Sequence, residues 1–348
     1  MNHLVIMAGG IGSRFWPMST PEKPKQFIDV LGIGKTLLQL TVDRFSGICP
    51  LKNVWVVTSA KYQKLVQEQL PEIPESNILL EPCMRNTAPC IAYVAWKIKQ
   101  KDADANLVIS PADHLVMDVP EFKRVIQKGL DFVAETDRIL TLGMLPTRPE
   151  TGYGYIKTKA VFEDEIFEVE GFKEKPNLQT AQSYLNEGGY FWNAGIFLWN
   201  VKTIEQAFRK EQPEIVAIFD DLEQAFYTSK EQQKIDEKFP ECPNISIDYA
   251  IMEKAKNIYV FPANFGWSDL GTWGSLYEQL PKDGNGNACV GNVHPIESEG
   301  CIVHVSENKK VVIQGLKDYI VAEENNVILI CRKMDEQRIK EFSKSEFK

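Results

Sequence analysis

The first 145 residues carry a rhythm that few folds satisfy. Short apolar runs at His3–Ala8, Val54–Thr58, Ile78–Leu80, Leu107–Ile109 and Ile139–Leu142 have strand length. Between them lie stretches with helical spacing, Leu37–Phe45, Gln63–Leu70, Ala88–Lys99 and Glu121–Val133. Apolar runs of this length read as buried strands, and 3.6-residue spacing reads as helix packed against them. The alternation predicts βαβ units and a mostly parallel, doubly wound α/β sheet. In such sheets ligands bind beyond the C-terminal ends of the strands, so the residues just after each run are the ones to search.

After Thr151 the pattern changes. "TGYGYIKT", "FEVEGFKEKP" and "YFWNAGIFLWN" read as strands, with a helix around Leu178–Glu187. Helical stretches follow at Thr203–Glu211, Glu214–Phe226, Glu231–Lys238 and Ile247–Lys256. From about Gly284 the chain reads as short strands with turns. The expected organisation is a large α/β domain over residues 1–282 and a small β-rich one over 283–348, with no low-complexity linker.

Composition narrows the function classes. A net charge of −9 argues against broad nucleic-acid binding, where phosphate backbones reward a basic face. A small anionic substrate needs only local cations. No apolar run approaches the ~20 residues of a membrane span, and no secretory signal pattern opens the chain. The seven cysteines are scattered without a CxxC pair and the four histidines stand apart, which does not support a zinc cluster. A reduced, cytoplasmic protein with no membrane or nucleic-acid partner is the expectation.

The first strand ends in "MAGGIGSRFWPMSTPEKPKQF", residues 7–27. Glycines after a first strand let backbone N–H groups approach a phosphate. Gly9, Gly10 and Gly12 lack the Gly-Lys-Ser/Thr of a P-loop. A dinucleotide fold wants helix directly behind its glycines, and Pro17, Pro21 and Pro24 oppose one. The segment up to Phe27 is expected to be an irregular loop, with Arg14 and Lys25 as its cations.

Other strand ends carry polar residues that admit two readings. Asp113 in "SPADH" could hold Mg²⁺, or cap the helix near Pro120 or close a turn. Asp269 in "GWSDLGTW" could join a metal site or sit in a turn before a helix. In "EPCMRNTAPCIA" Thr87 reads as a helix N-cap with Pro89 in the first turn. Gly154 beside Tyr153 suits a backbone approached by a ligand, or a bulge. Glu174 and Lys175 are adjacent, so on a strand they point to opposite faces; the alternative is a charged hairpin end. Asn193 is an amide in an apolar strand and needs a partner. Ser246 and Asp248 could be no more than a helix cap.

Together these motifs resemble the sugar-1-phosphate nucleotidyltransferases, whose signature GGxGxRxxPxxxxxPK stands here with a slightly longer spacer before Lys25. Within that family the resemblance is to guanylyltransferases acting on mannose 1-phosphate. It is carried by "QF" after the lysine, "EPCMRNTAPCIA", "SPADH", "FKEKP", "NAGIF", "SIDYAIMEK" and "GWSDLGTW". It implies a doubly wound mixed sheet of Rossmann-like nucleotidyltransferase type, with a small C-terminal β-helix-like domain. It implies GTP and mannose 1-phosphate as substrates, joined to give GDP-mannose and pyrophosphate. Nucleotide contacts are then implied at Ala8, Gly9, Gly10, Gly12, Ser13, Arg14, Lys25, Glu81, Asn86, Thr87 and Asp113. Sugar-phosphate contacts are implied at Gly154, Glu174, Lys175, Asn193 and Asp248, and a Mg²⁺ on Asp113 and Asp269. Arg14, Lys25 and Lys175 are the implied catalytic cations. His114 has no role assigned.

The resemblance further implies a homodimer through the tail, although a packed β cap without a partner fits the same residues. Relatives fused to an isomerase carry a further domain, so isomerase activity is not expected here. The rival readings are the same chemistry on another sugar phosphate or nucleotide, and a non-catalytic sugar-nucleotide sensor on the same fold.

Overall fold

The structure is a computed structural model that describes residues 1–10 and 15–344. In chain order it contains β1 (Asn2–Met7), α1 (Leu37–Arg44), β2 (Val54–Ser59), α2 (Gln63–Gln69), β3 (Ile78–Glu81), α3 (Thr87–Lys99) and β4 (Asn106–Pro111). Then follow β5 (Leu115–Val116), α4 (Val119–Val133), β6 (Ile139–Met144), β7 (Tyr155–Glu163), β8 (Ile166–Lys173), α5 (Leu178–Glu187) and β9 (Tyr190–Asn200). Next come α6 (Val201–Glu211), α7 (Pro213–Leu222), α8 (Glu231–Lys238), β10 (Ile258–Ala263), β11 (Trp267–Ser268) and α9 (Trp273–Gln279). The C-terminal part holds β12 (Ala288–Val290), β13 (Asn292–Ile296), β14 (Ile302–His304), β15 (Lys310–Gln314), β16 (Tyr319–Glu324), β17 (Val327–Arg332) and α10 (Ile339–Phe342).

The chain divides into two compact units. The first comprises residues 1–9, 42–112 and 116–267, and it contains a nine-stranded sheet in the order β3-β2-β1-β4-β9-β6-β10-β8-β7. β1 runs parallel to β2 and β4, β2 to β3, and β10 to β6, while β9 pairs antiparallel with β4 and β6. The sheet is therefore mixed. Leu4, Val5 and Ile6 are wholly buried, as expected for a central strand covered on both faces. Every residue of α3 from Ala88 to Ile98 is buried as well, which is why that helix is apolar almost all round. Its Tyr93 and Trp96 pack against Phe219 of α7.

The second unit is assembled from residues 10–41, 113–115 and 268–348. Its tail stacks short strands: β12, β14 and β16 are successively parallel, β17 closes the sheet antiparallel, and β13 pairs parallel with β15. The expected small β-helix-like domain is present. Its core is shared with distant sequence. Phe15, Met18, Ile28, Val30 and Leu37 pack in one cluster with Leu270, Trp273, Ala288, Ile302, Ile320 and Leu329.

Three local expectations need correction. The stretch 247–256 is not an α-helix but one π-helical turn, Asp248–Met252. Thr87 Oγ1 accepts the Ile247 N–H (2.8 Å) and Gln212 Nε2 donates to the Ala250 carbonyl (2.9 Å), so tertiary bonds claim backbone groups there. The N-cap of α3 is Asn86, at φ 67°, whose side chain accepts from Thr87 N, and Thr87 is the first helical residue. Finally, β7 begins at Tyr155, with Thr151–Gly154 as a bend before it. Among the described residues no helix is long and apolar enough to cross a membrane.

Candidate active site

In the first unit, β1 delivers Ala8 and Gly9 to its C-terminal end, where the Ala8 N–H donates to the Val57 carbonyl (2.8 Å). Neither Gly9 nor Gly10 lies in the left-handed region. A Cβ on Gly9 would stand 3.6 Å from Glu81 Oε2, an ordinary contact, and one on Gly10 would meet nothing. Backbone freedom is therefore not what requires glycine at these two positions. Glu81 ends β3 and is 7% exposed. Its Oε1 has no hydrogen-bond partner, and burial pushes its carboxyl up to about 7 against the opposing pull of a Cys90 hydrogen bond. A buried acceptor left open at a strand end is the kind of group a ligand completes.

The same unit gathers a second polar cluster from four separate segments, the entry to β7, the exit of β8, the interior of β9 and the π-helical turn. Asn193 Nδ2 donates to Asp248 Oδ1 (2.8 Å), and Asn193 Oδ1 accepts from Gly195 N (3.0 Å). Burial raises the Asp248 carboxyl; the Asn193 bond opposes this and the Glu174 charge adds to it. The Asn193 N–H donates to the Gly154 carbonyl (2.8 Å), and a Cβ on Gly154 would fall 2.9 Å from Glu174 Oε2. A side chain at Gly154 would therefore have to move the Glu174 carboxylate aside. Tyr153 stands edge-on to Trp192 and Trp267, with ring centroids 5.2 and 5.3 Å apart. Gly154, Glu174, Asn193 and Asp248 are thus brought together, with acceptors and one amide arranged as a polyol ligand would need.

Lys175 departs from expectation. β8 ends at Lys173, and Lys175 takes a left-handed φ of 38°. Glu174 and Lys175 do not face opposite ways as on a strand; Lys175 Nζ lies 2.8 Å from Glu174 Oε1. The turn folds the two side chains onto each other, leaving Lys175 62% exposed.

In the second unit Lys25 opens a turn of 3-10 helix, Lys25–Phe27, behind Pro24. The described residues 15–27 contain no α-helix, as the prolines predict. Lys25 is 5% exposed. Its ammonium donates to the carbonyls of Asp269 (2.6 Å) and Leu270 (3.1 Å) and pairs with Asp113 Oδ2 (3.0 Å). Burial acts to raise the Asp113 carboxyl, but Lys25 and His114 together hold it below the usual carboxylate range. Two residues 156 positions apart, Asp113 and Asp269, therefore meet on one lysine. Neither is a helix cap: Asp118 caps α4 and Thr272 caps α9. Asp269 instead closes a turn, its Oδ1 accepting from Gly271 N (2.9 Å).

The oxygens gathered here, one from the Asp113 carboxylate and the Asp269 and Leu270 carbonyls, are hard donors. Among the described residues no group of three His, Cys, Asp or Glu side chains could hold a metal unaided. Mg²⁺ in nucleotide sites takes one or two carboxylates and completes its shell with phosphate and water. A carboxylate and carbonyl oxygens already hold a positive charge here, in the form of the Lys25 ammonium.

Gly12, Ser13 and Arg14 lie outside the described residues. Sequence reasoning gave no role to Gln26, whose Nε2 donates to the Gly10 carbonyl (2.9 Å) and ties the glycine segment to the lysine turn. The "QF" after the lysine was the available signal. Nothing in the sequence marked Cys90 or the tail residue Glu336, which accepts from Gly274 N (2.8 Å).

The model for nucleotidyl transferase matches residues 3–286, and the MannoseP isomerase/GMP-like β-helix domain matches residues 291–345. A mannose-1-phosphate guanylyltransferase of Salmonella montevideo is 40% identical over 337 residues, covering 94% of this chain and 70% of that one. An Escherichia coli protein of the same name is 36% identical, covering 97% of this chain and 74% of its own. A crystal structure from Thermus thermophilus, called a mannose-1-phosphate geranyltransferase, superposes with a TM-score of 0.89 at 30% identity and covers 99% of this chain and 98% of that one. On the match to residues 3–286 and these identities, the chain belongs to the nucleotidyl transferase family.

Proposed function

We propose that this enzyme transfers GMP from GTP to α-D-mannose 1-phosphate, releasing pyrophosphate and GDP-mannose. The observation that carries the reading is the meeting of Lys25, Asp113 and Asp269 at one place, from three distant parts of the chain. The names of the relatives at 36–40% identity supply the substrates.

A phosphate oxygen of the sugar phosphate attacks the α-phosphorus of GTP in line, and pyrophosphate leaves from the opposite side. The nucleophile is already anionic near pH 7, so no general base is required. The barrier lies in bringing two polyanions together, which positioning and fixed charge can lower. Gly9, Gly10, Gly12, Ser13, Arg14 and Lys25 are read as the contacts to the triphosphate. Glu81, Asn86 and Thr87 are read as the base contacts, the Glu81 carboxyl pairing with the N–H edge of guanine. Glu174 and Asp248 accept from sugar hydroxyls, Asn193 supplies an amide that can donate to or accept from them, and Lys175 neutralises the sugar's phosphate. For that, Lys175 must exchange its Glu174 partner for the ligand. Asp113 and Asp269 would hold Mg²⁺, which when bound offsets phosphate charge.

Pyrophosphate release measured over a panel of nucleoside triphosphates and hexose 1-phosphates tests the reading. GTP with mannose 1-phosphate should give the highest kcat/KM by at least about tenfold, as expected where polar groups read the base. Equal turnover with ATP or with glucose 1-phosphate would defeat it.

A further inference from the structure

We propose that Glu336, in the C-terminal segment, is a positioning residue for the cation-binding residues Asp269 and Asp113. Three observations within the second unit lead there. Glu336 lies on the 3-10 stretch Lys333–Arg338 that follows β17, and its Oε2 accepts from the Gly274 N–H at 2.8 Å. Gly274 belongs to the first turn of α9, where the Thr272–Ser275 capping box serves the Ser275 N–H but not that of Gly274. A carboxylate there also complements the helix dipole. The fit is close: a Cβ at Gly274 would stand 3.3 and 3.4 Å from the two Glu336 oxygens.

α9 in turn anchors the loop before it. Leu270 is a non-glycine residue held at φ 45°, a conformation that persists only where the surroundings impose it. Its side chain is fully buried, in the core cluster that also holds Phe15, Trp273, Ile302 and Ile320. That conformation sets the direction of the Asp269 and Leu270 carbonyls, both of which accept from Lys25, and Lys25 carries Asp113. Glu336 therefore acts on the two acids through Gly274, Leu270 and Lys25. It touches no substrate. The assignment rests on the reading of Asp113 and Asp269 as the metal-holding pair.

The test uses the full chain with Glu336→Ala, Glu336→Gln and Gly274→Ala. Two readouts are taken: the Mg²⁺ concentration for half-maximal turnover, and Mn²⁺ binding in the presence of GTP without sugar phosphate, followed by electron paramagnetic resonance. Glu336→Ala should weaken both by about tenfold, the scale of one charge-assisted hydrogen bond. KM for mannose 1-phosphate should stay within about twofold of the parent. Glu336→Gln keeps an acceptor oxygen and should restore most of the loss. Gly274→Ala places a Cβ 3.3 and 3.4 Å from the two carboxylate oxygens, which must give by a few tenths of an ångström, and should weaken both readouts in the same direction by about twofold to threefold, which covers the case in which Glu336→Ala does not fold. A folded Glu336→Ala or Gly274→Ala protein with parental Mg²⁺ and Mn²⁺ curves would overturn the proposal. A parent enzyme indifferent to divalent cations would remove the metal-site reading itself, and the proposal with it.

Discussion

Burial and a hydrogen bond from Cys90 pull against each other at Glu81, and the outcome has a sign. Its carboxyl sits at about 7 in the folded chain against an ordinary 4.5. Between those values the native state keeps a proton that the unfolded chain releases, so stability falls as pH rises from about 4.5 to about 7. Glu81→Gln removes the titration. Urea unfolding at pH 5 and pH 8 should therefore show the variant gaining on the parent by about 3 kcal/mol at the higher pH, with little difference at the lower. At Lys25, three oxygens depend on one ammonium. Lys25→Ala should lower kcat at least about tenfold, because a charge-assisted contact contributes ~1.5–3 kcal/mol. Single-turnover and steady-state rates at saturating substrates would check it. At Gly154 a methyl group must push the Glu174 carboxylate away. Gly154→Ala should raise KM for the sugar phosphate by about threefold to tenfold and leave that for GTP unchanged.

At the scale of elements, the sequence was legible wherever the apolar period was clear. Leu178–Glu187 and Glu231–Lys238 form helices over the expected spans, and the strands after His3, Val54, Ile78 and Ile139 stand within a residue or two of their apolar runs. What escaped was set by partners far along the chain. The stretch after Ile247 has helical spacing, yet Thr87 and Gln212 take its backbone groups. Asn86 and Lys175 adopt left-handed conformations that no local pattern announces. Of the site, the residue types at strand ends were readable; that the Asp113 carboxylate and the Asp269 backbone carbonyl share Lys25 was not, since no local spacing encodes a common partner across 156 positions. The tail's corners give an element-level prediction. Gly291, between β12 and β13, has φ 92°, and a Cβ there would lie 2.3 Å from the Val305 carbonyl oxygen. Gly315 has φ 70° but open space around it. Gly291→Ala should cost about 2 kcal/mol or more and Gly315→Ala only about 1, compared by thermal and urea unfolding.

For the molecule as a whole, the sequence boundary and the compact units follow different lines. The family models meet between residues 286 and 291. The second unit nevertheless takes in residues 10–41 and 268–348 together. Cleavage at a protease site inserted in the exposed Lys282–Gly286 turn should leave the fragments co-eluting in gel filtration and separating only in denaturant. Separation under native conditions would contradict the shared core.

That shared core bears on how such a chain can be recombined. Ile302, Ile320 and Leu329 belong to one core cluster with Phe15, Met18 and Ile28. A chimera that joins the tail of one relative to the catalytic region of another places two independently drifted halves of one interior in contact. Breakpoints at residue 286 alone should give poorly folding hybrids. Hybrids that also exchange residues 15–41 keep both halves from the same parent and should fold as well as either.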